Sequence, residues 1–343
     1  MAGMLLILIY IAFISLGLPD ALLGAGWPVM QPELNVPYGF AGLAQMMISG
    51  ATILSSMYSG MLIHKFGTGR LTAVSVGITA IALLGIASAP SFPWILLAAL
   101  PLGLGGGAVD ASLNAYVANH YESRHMSWLH SFWGIGALSG PMLLSFLLFS
   151  GYSWRIGYTA VGSFQVLLAA VLIAAVPLWT KVKARTQDEQ KTVMHHLRFF
   201  DALRIKGVPS ALLIFLFYCS IEGSMGLWGG SYLNQVKGID PALSATWVSL
   251  FFAALTAGRF MTGFFTYRLS NNAMIGGGAL VILTGVILML LPQPLTLNLI
   301  GFLLIGLGCA PIFPCMIHET PVRFGSTMSQ SIIGFQMAAA YVG

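Results

Sequence analysis

Charge is what this sequence has least of. Lysine, arginine, aspartate and glutamate make up 7% of its 343 residues, where soluble domains carry about a quarter. That excludes an ordinary soluble enzyme or binding domain. Cysteine is scarce as well. Cys219, Cys309 and Cys315 show no paired spacing, which excludes a disulfide framework and a cysteine metal site. The amino terminus has neither a basic n-region nor a small-residue cleavage site, so it reads as a first membrane span and not as a signal peptide. No Lys or Arg precedes Lys65, which points to a few missing leading residues. There is no H-E-x-x-H and no G-x-S-x-G, so neither an intramembrane zinc enzyme nor a serine hydrolase is indicated. The expectation is a non-enzyme without cofactor or metal.

What the chain has is long apolar runs such as "LTAVSVGITAIALLGIASA" from Leu71. A span of the hydrocarbon needs about 20 residues at 1.5 Å each. Spans are expected near 4–31, 38–64, 70–89, 93–119, 127–150, 154–179, 209–236, 242–268, 273–291 and 295–319, and an eleventh begins near Thr327 and is cut off at Gly343. Seven basic residues crowd the one long polar segment: Lys181, Lys183, Arg185, Lys191, Arg198, Arg204 and Lys206. Lys65, Arg70, Arg124, Arg268 and Arg323 fall on the same side of the ten spans, and only Arg155 and Lys237 on the other. This bias makes the polar segment and the amino terminus cytoplasmic. The net charge of +5 therefore reports topology and not a nucleic-acid partner. The polar segment, about 28 residues, is too short for a folded sensor domain.

Self-comparison at an offset of 203 residues lays "SGMLIHKFGTG" from Ser59 over "TGFFTYRLSNN" from Thr262, Gly60 over Gly263 and Lys65 over Arg268. The same offset lays "LGLG" from Leu102 over "IGLG" from Ile305, and Phe132 over Phe335. Matches on three pairs of spans imply a six-helix unit repeated in parallel. The expected division is a first bundle over 1–180, a basic linker over 181–208 and a second bundle over 209–343 that lacks its end.

An ionisable group deep in a span costs about 2.5–3.5 kcal/mol on insertion scales and is expected to face a cavity. Asp20, Asp110 and Glu222 are such acids, and Arg259 is the one strongly basic residue well inside a helix. Arg259 reads either as a counter-ion to an acid or as a helix tie that snorkels to the cytoplasm. At about 100° per residue, Gly103, Gly107, Asp110 and Asn114 share a face. Span one repeats the stripe with Gly17, Asp20, Gly24, Trp27 and Gln31. The glycines alone would be a packing seam, and the carboxylates add a cavity. "GLGGGA" from Gly103 mimics a dinucleotide-binding turn, but it lies within a span and no strand precedes it. His130 reads either as a packing residue or as part of a site, on one face with Trp133.

These residues resemble the major facilitator superfamily over essentially the whole chain. "GMLIHKFGTGR" from Gly60 to Arg70 matches its signature G-x-x-x-D-[RK]-x-G-x-[RK], with His64 where the Asp usually stands. "GLPDALLGAGWP", "GGGAVDASLNAY" and "LHSFWGIGAL" look most like the fucose–proton symporter group. "GALSGP" from Gly136 is a partial match to the span-five motif of drug–proton antiporters. The resemblance implies an all-α polytopic fold of two parallel six-helix repeats, here cut off within helix 11, working by alternating access around a central site. It implies that Asp20, Asp110 and Asn114 serve proton and sugar binding. His130 and Trp133 stand where that symporter offers a Gln and an Asn to its sugar.

The expected function is proton-coupled uptake of a sugar or similar small polar solute, with antiport of drugs or metabolites as the alternative. Asp20 is the first candidate proton carrier, because a carboxylate out of water favours its neutral form and releases the proton when water enters. Asp110 either shares that proton or binds solute with Asn114, and Glu222 is a third coupling candidate. His130, Trp133, Trp27 and Trp228 are candidate solute contacts, although tryptophans in spans also pack or anchor. Gly60, Lys65, Gly67, Arg70, Arg259, Gly263 and Arg268 are candidate gating positions. The expected partners are a small solute, protons with Na⁺ left open, and the lipid bilayer of a bacterial plasma membrane. The expected state is a monomer.

Overall fold

The computed structural model describes residues 2–121, 123–179, 199–265, 268–291 and 294–343. Every regular element among them is helical: α1 (Ala2–Asp20), α2 (Leu22–Leu34), α3 (Phe40–Phe66), α4 (Thr68–Ala87), α5 (Phe92–His120), α6 (Ser123–Phe149) and α7 (Trp154–Trp179). They continue with α8 (Phe199–Leu203), α9 (Val208–Gln235), α10 (Pro241–Phe265), α11 (Asn271–Leu290), α12 (Leu295–Cys309), α13 (Ile312–Phe324) and α14 (Ser326–Val342). Ten spans long and apolar enough to cross a membrane run through the described residues. That bears out the all-helical expectation, with one difference at each end of the series. The first span is two helices, α1 and α2, and the tenth is also two, α12 and α13. Most of the expected basic linker, 180–198, lies outside the described residues.

Water is absent from the hydrocarbon, so each span satisfies its own backbone and turns apolar side chains to lipid. Ile7, Met57, Ile81, Leu97, Phe146 and Leu167 are exposed in this way. Small residues face inward. The described residues form two compact units, Met1–Gln187 with Gly226–Ser249, and Asp188–Met225 with Leu250–Gly343.

In the first unit α5 is the centre. It packs against α3 and α4, while α1 lies along α6 and α4 along α7. Its glycines show how this is achieved. A Cβ on Gly105 would meet Thr79 and the Ser75 carbonyl of α4, one on Gly106 would approach Leu16 of α1 at 3.7 Å, and one on Gly107 would strike the Thr52 carbonyl of α3. Successive residues are about 100° apart, so the three glycines face three helices, and Gly105 and Gly107 let α4 and α3 come close. Ser55 of α3 then donates its hydroxyl to the Leu104 carbonyl of α5 at 2.5 Å. Leu5, Ile9 and Phe13 of α1, Val109 and Leu113 of α5, and Leu168 and Leu172 of α7 fill the core.

In the second unit α11 and α12 meet through glycine pairs in antiparallel register. A Cβ on Gly278 would meet the Gly308 carbonyl at 2.5 Å and one on Gly285 the Gly301 carbonyl at 2.6 Å. Van der Waals packing and close backbone approach are what drive such contacts in lipid.

Candidate functional site

The first span breaks at Asp20. Pro19 has no N–H to give to the carbonyl of Ser15, four residues back. Gln165 of α7 supplies the missing donor, with Nε2 2.7 Å from the Ser15 oxygen. The Oε1 of Gln165 in turn accepts from the Thr79 hydroxyl of α4 at 2.7 Å. The free carbonyl left by the proline is thus satisfied in the core. Asp20 is the last residue of α1 and is exposed.

Glycines press α6 onto this segment. A Cβ on Gly17 would run into the Trp133 carbonyl, one on Gly136 into the Ile14 carbonyl and one on Gly140 into the Leu18 carbonyl. The "GALSGP" glycines therefore build the α1–α6 seam. That seam brings the Trp133 indole to Asp20, with Nε1 donating to Oδ2 at 2.6 Å. A hydrogen bond to a carboxylate is short and about twice as strong as a neutral one. His130, one turn before Trp133, meets the Phe13 ring edge-on at 5.9 Å between centroids.

Asp110 and Asn114 pair within α5. The Asn114 amide nitrogen donates to Asp110 Oδ1 at 2.9 Å and to the Asp110 carbonyl at 3.0 Å. Both side chains are half-buried. Gly103 and Gly107, on the same stripe, lie against the Ile48 and Thr52 carbonyls of α3. The stripe is both things at once, a packing seam and a polar pair one turn further on.

Glu222 and Arg259 belong to the second unit and form a salt bridge, Arg259 Nη2 to Glu222 Oε2 at 3.1 Å. Tyr218 donates its hydroxyl to Glu222 and accepts from Arg259 Nη2 at 3.0 Å. The bridge pairs Arg259 with an acid and also ties α10 to α9.

A profile described as Major Facilitator Superfamily matches residues 9–343. The chain belongs to that superfamily. An uncharacterized MFS-type transporter of Yersinia pestis is 23% identical over 97% of this chain and 82% of its own length. The glucose/mannose transporter GlcP of Bacillus subtilis is 25% identical over 82% of this chain and 71% of its own. The enterobactin exporter EntS of Salmonella paratyphi A is 25% identical over 78% of this chain and 63% of its own. Among solved structures, an inward-facing bacterial homolog of the human lysosomal transporter Spinster superposes with a TM-score of 0.78 at 15% identity, covering 99% of this chain and 79% of that one. At that identity the likeness shows the fold. The protein is a multi-pass transporter of the cell membrane that carries small molecules.

The superfamily signature lies at a tight connection in this transporter. A single residue, Gly67, joins α3 to α4, with φ 78° and ψ 152°, a region open essentially to glycine alone. Its N–H bonds the Ile63 carbonyl at 2.8 Å and its carbonyl accepts from Leu71 at 3.1 Å. Gly60 is exposed with nothing near it, Lys65 lies over the Phe66 ring at 5.2 Å, and Arg70 is exposed. At the 203-residue counterpart, Gly263 lies in α10 and Arg268 in the exposed turn after it. The structural twin of the Gly67 turn is elsewhere. Gly325 joins α13 to α14 with φ 79° and ψ 153°. "KFGT" and "RFGS" are thus the same device, which only a different offset would have found.

Two of the tryptophans sit differently. Trp27 is fully buried, donates Nε1 to the Tyr38 carbonyl at 2.9 Å and meets the Phe92 ring edge-on. It is a core residue in this conformation. Trp228 is half-buried with its ring above Gly42 of α3. Sequence reasoning passed over Gln165, Tyr218 and Glu33. Glu33 accepts from Arg155 Nη2 at 2.8 Å and Trp154 Nε1 at 2.5 Å, while Arg155 also holds the Ala87 and Ala89 carbonyls. Searching spans for amides and phenols as well as charges would have singled out Gln165 and Tyr218.

Proposed function

We propose that this transporter takes up a sugar or similar small polar solute driven by protons, in the manner of the fucose–proton symporter group, with Asp20 as the proton carrier. The observation that carries the reading is the placement of Asp20. It sits at the break of the first span, exposed, with a tryptophan N–H on its carboxylate. An acid at a helix break meets water or loses it with small movements of the chain, as a proton carrier in an alternating-access cycle must. Asp110 and Asn114 bind hydroxyl groups of the solute, for which a carboxylate and an amide offer acceptors and a donor. His130 and Trp228 are further solute contacts. Trp133 acts on Asp20, and Trp27 is left out because its ring and N–H are engaged in the core. The protein acts as a monomer.

A sugar as solute is supported by the name of the Bacillus relative, a glucose/mannose transporter. Proton-driven export is the second reading, supported by the enterobactin exporter among the relatives. Vesicles holding the purified protein decide between them. Added hexose is expected to alkalinise the outside as protons enter with it, and Asp20→Asn is expected to abolish proton-driven accumulation while sparing counterflow exchange. Accumulation that persists in Asp20→Asn would falsify the role of Asp20. A response to Na⁺ with none to pH would replace the proton, and acidification on adding a drug panel would favour export.

A further inference from the structure

Among the described residues Arg259 is the one strong base well inside a span. Every other described lysine and arginine lies in a connecting segment or within a turn of a span's end. In a transporter such a guanidinium is the natural anchor for an anionic solute, because its fork of donors matches a carboxylate or phosphate. Here that place is already filled from within. Arg259 Nη2 lies 3.1 and 3.4 Å from the two Glu222 oxygens and 3.0 Å from the Tyr218 hydroxyl, which itself donates to Glu222. The Arg259 and Glu222 side chains are only 14% and 16% exposed, and Tyr218 is buried.

We propose that Glu222 is a specificity determinant, an internal carboxylate that occupies Arg259 and so shuts out anionic solutes. The carrier then selects the uncharged member of any neutral and acidic pair. Tyr218 is the positioning residue that holds Glu222 against the guanidinium. The proposal rests on the sugar reading only for its probes, glucose and glucuronate, which differ by one carboxylate. Removing the Glu222 charge takes the salt-bridge carboxylate away from a guanidinium in a poorly hydrated place, and the vacated Nη2 takes up an anion.

Uptake of glucose and glucuronate is measured in vesicles, and thermal unfolding of the purified protein is measured with each sugar at matched ionic strength. The wild type is expected to prefer glucose at least tenfold and to show no stabilisation by glucuronate. Glu222→Gln is expected to gain stabilisation by glucuronate, and the pair Glu222→Gln with Arg259→Gln is expected to lose that gain. Should Glu222→Gln not fold, Glu222→Asp, whose shorter side chain loosens the pair, is read in its place with a weaker gain expected. Comparable uptake of glucuronate by the wild type overturns the proposal, and so does a variant indifferent to glucuronate. If the wild type accumulates neither sugar, the sugar reading falls, and the unfolding response of the variants still decides the role of Glu222.

Discussion

Gln165 in α7 donates its side-chain amide to the Ser15 carbonyl of α1 at 2.7 Å, the place where Pro19 has no N–H to offer. The Ser15 carbonyl that the proline leaves free and the glutamine that satisfies it are one arrangement split across 150 residues. Gln165→Leu keeps the volume and leaves a buried carbonyl without a donor, which costs about 1–3 kcal/mol. A lower unfolding temperature in detergent is the expected result. Unfolding at the wild-type temperature would mean that water replaces the amide.

The α1–α6 seam predicts a contrast between two glycines. At Gly136 a methyl group would strike the Ile14 carbonyl, whereas at Gly60 nothing lies within 4 Å. Gly136→Ala is expected to destabilise by about 1–3 kcal/mol through overpacking. It also shifts Trp133 from Asp20, so transport falls with stability. Gly60→Ala is expected to change stability little. Equal effects in the two variants would contradict the seam.

The twin turns predict a backbone effect without any side-chain contact. A Cβ at Gly67 or Gly325 has open space around it, yet the φ and ψ of both suit glycine alone. Alanine at either position is expected to cost about 1–3 kcal/mol, read as thermal destabilisation of similar size in the two variants. Alanine tolerated at both would show that the two connections adopt another conformation.

Trp133→Phe keeps a ring and removes the N–H that Asp20 accepts. A hydrogen bond to a charged group contributes about 1.5–3 kcal/mol, so proton-driven uptake is expected to fall about tenfold or more, with counterflow less affected. Unchanged coupling would make Trp133 a packing residue.

What could be read ahead of the structure divides by distance along the chain. Span positions follow from hydropathy, a local property, and came within a few residues of those observed, as at 38–64 against Phe40–Phe66. The Asp110–Asn114 pair follows from helical spacing, and the bond is there. Asp20–Trp133 and Glu33–Arg155 join residues more than 100 positions apart, which no periodicity reaches. The breaks at Ala21 and near Pro311 were missed because hydropathy runs through them unchanged. Prolines 19 and 311 were the available signal, and a proline inside an apolar run reads equally well as a kink that neighbouring groups repair.

The three glycines of α5 set a limit on how this helix tolerates change. Gly105 faces α4, Gly106 faces α1 and Gly107 faces α3, while Leu104 is the exposed residue between Gly103 and Asp110. Adding or deleting one residue there turns everything beyond it by about 100°. Gly107 would then present itself to the wrong helix, and Asp110 would leave the polar face with it. Point changes at the surface of this helix are survivable, whereas a shift of frame by a single residue removes packing and site together. For this segment length is under tighter constraint than composition.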